Sequence, residues 1–136
     1  MSINPHILYD GNCEEAFKFY ERVLGGKILM MLPHSETPAA DHVPKEWGPK
    51  IIHARMKIGD VHLMASDAPP GHFKKPQGFS VNISVDTPAE AERVFAALSE
   101  GGSIIMPIGS TFFAERFGML VDRFGIPWMI NCEKPV

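Results

Sequence analysis

Asp122-Arg-Phe-Gly-Ile-Pro-Trp-Met-Ile-Asn131 reads as strand end, tight turn and strand. Asp122 and Gly125 suit the first and last positions of a type I turn. The apolar run Ile126 to Ile130, bounded by that turn, reads as a buried strand. Pro127 cannot donate to a ladder, so it belongs at the strand start or on an edge. The same plan occurs earlier, in Arg55-Met-Lys-Ile-Gly-Asp-Val-His-Leu-Met64, with Gly59 as the matching turn glycine. Gly25-Gly26 ends one helical pattern and Gly101-Gly102 another, about 76 residues further on, as glycines do just past helix C-termini. Each helix is preceded by a strand and followed by strands. An internal repeat outranks other signals, and here it is strand, helix and three strands, twice. The expectation is an α+β chain of two βαβββ modules, approximately 1–70 and 78–136 of one domain. The modules form curved mixed sheets with a cleft, and the helices cover the outer face.

Working outward, Ile3 to Tyr9 is the first strand. Asp10-Gly11-Asn12 is a turn in which Asn12 suits the N-cap and Glu15 the third helical position, as in a capping box. Cys13 to Leu24 carries Ala16, Phe17, Tyr20, Val23 and Leu24 at helical spacing, its buried face. Lys27 to Leu32 is a strand. His34 to Pro49 is polar and holds three prolines, so it reads as a long loop and the segment to Lys50 as the least ordered one. Ile51 to Lys57 alternates, with Ile52, Ala54 and Met56 on one face and His53, Arg55 and Lys57 on the other. Phe79 to Val85 alternates too: Ser80, Asn82 and Ser84 oppose Phe79, Val81, Ile83 and Val85. Thr87 caps a helix over Pro88–Glu100 with Pro88 at its first position. Pro107 to Arg116 is a loop rich in phenylalanine.

The alternation separates two kinds of sheet face. Apolar faces meet the amphipathic helices. The polar faces are left on the other side of each sheet, where a cleft in a curved sheet would take a ligand. The site candidates are His6, Tyr9, His53, Arg55, Ser80, Asn82, Ser84, Phe113, Glu115 and Trp128. Of the histidines, His34, His42 and His72 fall in loops and are expected to be solvated. His62 is expected to point away from the cleft, and His53, with Arg55 beside it, is the best placed.

The bulk numbers narrow the function classes. The chain has 136 residues, 45% of them apolar, and a net charge of -3. That suffices for one core and supplies no basic stripe for nucleic acid or anionic membranes. No apolar run reaches the roughly 20 residues of a membrane span, and no signal peptide is visible. Two cysteines, Cys13 and Cys132, are too few for a disulfide framework or a zinc ribbon. They are expected as unpaired thiols of a cytoplasmic protein.

Gly11-Asn-Cys-Glu-Glu-Ala-Phe-Lys-Phe-Tyr-Glu-Arg-Val-Leu-Gly25, Ala65-Ser-Asp-Ala-Pro69 and Phe117-Gly-Met-Leu-Val-Asp-Arg-Phe-Gly-Ile-Pro-Trp-Met-Ile-Asn131 together resemble the PhnB-like branch of the vicinal oxygen chelate superfamily. That superfamily includes glyoxalase I, extradiol dioxygenases and drug-resistance proteins. The resemblance spreads over nearly the whole chain and is weakest from His34 to Lys50. It implies a homodimer of paired modules, with Phe112, Phe113 and the loop to Phe117 in a shared wall and Glu115 or Arg116 reaching across. Relatives also carry a ubiquinone-methyltransferase label, but no Gly-rich loop follows a first strand here to hold a nucleotide-like methyl donor. Metal-dependent members use His or Gln and Glu, one from each of four strands. Carried over, those positions fall at Met129, at Leu63, at Ser80, and at Pro5 or, one register along, His6. Leu and Met in place of two carboxylates leave nothing to balance a dication. The sequence therefore points to a metal-free cleft without a cofactor, binding a small anionic or aromatic molecule. The alternatives are a glyoxalase- or dioxygenase-type enzyme with an altered metal site, and an interaction module without ligand.

Overall fold

The structure is a computed structural model that describes residues 1–135. Val136, the last residue of the second repeat, lies outside the described residues. The chain forms two compact units, Met1–Lys74 and Lys75–Val136. In the first, β1 (His6–Tyr9) leads to α1 (Cys13–Leu24), then β2 (Lys27–Pro33), β3 (Ile51–Ile58) and β4 (Val61–Asp67). In the second, β5 (Val81–Ser84) leads to α2 (Pro88–Ser99), β6 (Ser103–Gly109), β7 (Ala114–Val121) and β8 (Pro127–Glu133). The sheets have the same order, β1-β4-β3-β2 and β5-β8-β7-β6. In each the first strand runs parallel to the last and the other pairings are antiparallel. This is the expected α+β arrangement of two βαβββ modules.

Each sheet buries one face under its own helix. α1 lies across β2, β3 and β4, and α2 across β6, β7 and β8. Ala16, Phe17 and Tyr20 are buried as the helical spacing requires, but Phe19 joins them in place of Val23 and Leu24. Fully burying side chains of this size contributes about 1.5–3 kcal/mol each. β5 is shorter than the alternation suggested: Phe79 precedes it and is half exposed.

The start of α1 departs from the local reading. Asn12 makes no side-chain cap. The buried carboxylate of Asp67, at the end of β4, does that work instead. Its Oδ1 accepts from the N–H groups of Gly11 and Cys13, both at 3.0 Å, and its Oδ2 from Ile51 N–H at 2.8 Å. One side chain thus ties β4 to the positive end of α1 and to the first residue of β3. α2 follows the local rule, with Thr87 Oγ1 accepting from Glu90 N–H at 3.1 Å.

The segment between β2 and β3 is not an irregular loop. It folds into three 3₁₀ turns, His34–Glu36, Pro38–His42 and Lys45–Trp47. His34 is buried rather than solvated. Its backbone N–H and its Nδ1 both lie 2.8 Å from the Lys50 carbonyl. A carbonyl only accepts, so Nδ1 carries the proton.

Irregularities recur at the same place in both repeats. The pairing of β2 with β3 shifts between Ile28 and Met30, and that of β6 with β7 between Ile104 and Met106. A second shift, between Leu32 and Pro33, re-aims the start of β3. Strict alternation puts Ile52 with Ala54 and Met56. The shift instead buries Ile51 and brings Ile52 to the pocket side beside Leu8 and Ser66, the expected effect of a bulge.

Candidate functional site

The face of the first sheet turned from α1 is defined by cross-strand pairing. His6 lies opposite Met64, Leu8 opposite Ser66, and Met64 opposite Arg55, which is paired on its other side with Met30. Their in-between neighbours Ile7, Tyr9, Ala54, Met56, Leu63 and Ala65 are all buried on the helix side. His6 Nε2 is 3.0 Å from Ser66 Oγ. Partial burial, and then the neighbouring charge of His53, holds the His6 imidazole below its ordinary pKa. Arg55 Nη1 lies 3.3 Å from His62 Nδ1, and Nη2 lies 3.6 Å from Met64 Sδ. A guanidinium only donates, so His62 Nδ1 is the unprotonated nitrogen in this contact. His62 therefore stands on the same face as Arg55, not away from it.

Beside this row is a pocket of about 270 Å³, wholly within the first unit. Leu8, Ile52 and Ser66 form its floor, and Ala39, Val43 and Pro69 stand among its walls. His42 and His72, both exposed, line it too, as does buried His34. An apolar cavity with a few convergent polar groups is the usual form of a small-molecule site.

In the second unit Asn82 lies opposite Met129 and Ser84 opposite Asn131. Asn82 Nδ2 donates to Ser84 Oγ at 3.0 Å. Asn131 Oδ1 is buried and has no hydrogen-bond partner among the described residues. Ser80 lies just before β5 rather than in it. Phe112, Phe113 and Phe117 form an edge-to-face ladder with ring centroids 5.1 Å apart at each step. Phe112 is 91% exposed and Phe113 47% exposed.

Three of the candidates from sequence lie elsewhere. Tyr9 is in the core, its hydroxyl 3.1 Å from that of Tyr20. Trp128 is in the core as well, with Nε1 donating to Asp122 Oδ2 at 2.8 Å. Both sit on the helix side because the pleat alternates strictly at those positions. Glu115 faces its own unit: its Oε2 accepts from Cys132 Sγ at 3.7 Å. Arg116 is likewise held within that unit, by Glu92 at 3.1 Å. His62, Met64 and Ile52 were missed. Their signal was the pairing register, which no single strand displays.

The metal positions inferred by counting from the turn glycines also move. In the second hairpin three residues, Arg123 to Gly125, separate the bonded pair Asp122 and Ile126. In the first, Gly59 and Asp60 alone separate Ile58 and Val61. The turn lengths differ by one, so the partner of Met129 in the repeat is Met64, not Leu63. The parallel pairings then settle the first strands as His6, not Pro5, and Asn82, not Ser80. The donor pairs are His6 with Met64, and Asn82 with Met129. Neither contains a carboxylate, and thioethers do not suit the hard or borderline divalent metals of such sites. Among the described residues no group of three His, Cys, Asp or Glu side chains is placed to hold a metal. These residues do not fit a dication.

Both thiols are buried and unpaired. Burial, with the Asp67 and Glu14 carboxylates adding, raises the Cys13 thiol far above its usual range, and burial and then Glu115 raise Cys132. No helix among the described residues is long and apolar enough to cross a membrane.

The fold is shared with solved proteins of the glyoxylase/bleomycin resistance protein/dioxygenase description. A solved domain of that description from Frankia sp. EAN1pec superposes with a TM-score of 0.68 at 15% identity, covering 98% of this chain and 99% of that one. The chain belongs to the PhnB-like family whose model, described as 3-demethylubiquinone-9 3-methyltransferase, matches residues 1–131. Protein YjdN of Escherichia coli K12 is 33% identical, over 98% of this chain and 97% of its own length. The crystal structure of protein PA1353 from Pseudomonas aeruginosa has 47% identity and a TM-score of 0.91, covering 99% of both chains. A PhnB protein from Bacillus cereus has 25% identity and a TM-score of 0.82, covering 97% of this chain and 99% of that one. The methyl-transfer wording of the family description finds no matching cradle in the β1–α1 turn. There the N–H groups of Gly11 and Cys13 are already taken by Asp67, and the Gly11 carbonyl by Lys50 Nζ at 2.9 Å. Trp47 closes over Gly11, 3.1 Å from where a Cβ would stand. A nucleotide-like methyl donor does not fit these residues.

Proposed function

We propose that this protein binds a small organic molecule without a metal, on the open face of the first unit's sheet. The observation that carries the reading is the 270 Å³ pocket floored by Leu8, Ile52 and Ser66, next to the polar row of His6, His53 and Arg55. The hydrogen-bonded pair Asn82 and Ser84, with the unpartnered Asn131 Oδ1, is a secondary ligand surface in the second unit. A thermal-shift screen of small aromatic and aliphatic acids, alcohols and amines tests the proposal. Compounds that raise the melting temperature of the wild type, and lose that effect in Ala39→Phe, support it. A screen in which no class raises it would overturn it.

The reading includes a homodimer. Ile104, Ile105, Met106, Phe112 and Phe113 of the second unit are all exposed, and apolar groups of this extent commonly mark an interface. Sedimentation equilibrium of the wild type and of Phe113→Asp measures this. A dimer mass that Phe113→Asp shifts toward monomer is expected, and a concentration-independent mass of 15.1 kDa would refute it. Two buried, unpaired thiols support a cytoplasmic site of action, where thiols stay reduced.

A further inference from the structure

We infer that the ligand is an amphipathic anion: an apolar body in the pocket, joined to a carboxylate, phosphate or sulfonate that binds Arg55. The inference rests on the binding reading above and adds the ligand's chemical class.

The first observation is the state of Arg55. Its side chain is half-buried, and its polar contacts are an imidazole nitrogen of His62 and the thioether of Met64. Among the described residues no carboxylate lies within ion-pair distance of it. Taking a guanidinium partly out of water without an anion is unfavourable. A protein whose net charge is -3 has carboxylates to spare, yet none is placed here. The guanidinium has five N–H donors in a planar fork that matches two oxygens of one acid group. Contacts to His62 and Met64 leave the rest of the fork open, and they fix its plane.

The second observation is what surrounds it. The ionisable groups on this face are His6 from β1, Lys27 from β2, His53 and Lys57 from β3, and His62 from β4. Each is neutral or positive; the acid that lines the adjoining pocket, Asp67, has both oxygens engaged by the N–H groups of Gly11, Cys13 and Ile51. The surroundings therefore favour an anion and oppose a second cation. Both lysines sit at the end of the sheet away from the pocket, with Lys27 paired to Lys57, and steer rather than chelate.

The third observation is spacing. Arg55 is level with Met64, and Met64 is two residues from Ser66 at the pocket floor. At the rise of an extended strand that separation is about 7 Å. A ligand with a bicyclic or short-chain body reaches both places. His53, next to the pocket-lining Ile52, is two residues from Arg55 on the same strand.

The experiment is calorimetric titration of the full chain with naphthalene-2-sulfonate and with its neutral sulfonamide, which share one body. Wild type, Arg55→Gln, Arg55→Lys and Ala39→Phe are compared, with near-ultraviolet circular dichroism confirming that each variant is folded. The sulfonate should bind about 10-fold tighter than the sulfonamide, the gain of a charge-assisted hydrogen-bonded pair. Arg55→Gln should abolish that difference, weakening the sulfonate far more than the sulfonamide. Arg55→Lys should keep part of it, because the charge remains but the fork is lost. Added sodium chloride should weaken the sulfonate alone. Parallel titrations with 2-naphthoate and 2-naphthyl phosphate assign the head group; if all three anions bind no tighter than the sulfonamide, the inference is overturned. Sulfonamide binding that Ala39→Phe blocks, with Arg55→Gln leaving every affinity unchanged, overturns the anion assignment and keeps the pocket. Failure of every probe to bind wild type overturns the pocket reading, and the anion assignment with it.

Discussion

Replacing Asp67 removes the acceptor of three buried or partly buried backbone N–H groups, those of Gly11, Cys13 and Ile51. A hydrogen bond to a charged group contributes about 1.5–3 kcal/mol. Three of them sum naively to about 4.5–9 kcal/mol, but they share one carboxylate, and contacts within one network do not add. For Asp67→Ala we therefore expect a loss of roughly 4 kcal/mol, a large part of the stability of a domain this size. Asp67→Asn keeps the volume and one acceptor oxygen. Its amide NH₂ must face at least one N–H, so roughly 2 kcal/mol is expected to be lost. Asn12→Ala is the control: the side chain makes no cap, so its effect should stay under about 0.5 kcal/mol, below the usual range for a lost cap. Urea denaturation of the full chain, followed by far-ultraviolet circular dichroism, measures all three as midpoint shifts at constant slope. If Asp67→Ala shifts stability by less than 1 kcal/mol, or Asn12→Ala matches it, the assignment of the α1 cap to Asp67 is wrong.

Gly102→Ala should be far worse than Gly101→Ala. A Cβ on Gly102 would stand 2.3 Å from the Val121 carbonyl oxygen, so backbone must move; we expect about 3 kcal/mol from overpacking, against about 1–2 kcal/mol for Gly101, whose φ of +75° is the main obstacle. Equal effects in urea melts would contradict this. Cys13 and Cys132 should be inert to a thiol-specific disulfide reagent in the native state and react fully in denaturant, since burial disfavours both thiolates; rapid native reaction of either would show that its burial is misjudged. The His6 imidazole titrates below 6.5 in the folded chain, chiefly because it is partly buried and secondly because of His53. The unfolded chain then binds the proton first, so stability is lost as pH falls from about 6.5 toward the folded pKa. His6→Asn should flatten that acid limb, and an unchanged limb in urea midpoints measured against pH would rule out the linkage.

Much of the fold was legible in the order of residues. Asp122 and Gly125 mark a turn, and the structure closes it with Gly125 N–H to the Asp122 carbonyl at 2.9 Å. The recurring glycine pairs and apolar stripes announced two like modules, since a helix period and a strand period are both read from near neighbours along the chain. The site was less legible. His53, Arg55, Asn82 and Ser84 lie on the faces that alternation assigns them, whereas His6 entered only through the family resemblance, as the alternative to Pro5. Alternation could not see the shift near Leu32 that brings Ile52 to the pocket, nor count the extra turn residue that makes Met64, not Leu63, the counterpart of Met129. Nor could it show that Tyr9 and Trp128 spend their polar atoms inside the core.

By itself, then, the sequence determined the order of strands and helices, that they repeat, and that each sheet has one apolar and one polar face, although both ends of the stretch read as a loop from Pro107 to Arg116 belong to β6 and β7. These follow from propensity and periodicity, which act over a few residues. Only the tertiary structure decided that a carboxylate 54 positions away caps α1, that His34 is buried against Lys50, and that Arg55 is left with an imidazole and a thioether instead of an acid. Those outcomes depend on which strands lie side by side and in what register. Turn lengths and bulges set that register, and a one-residue change in either exchanges the side chains that meet.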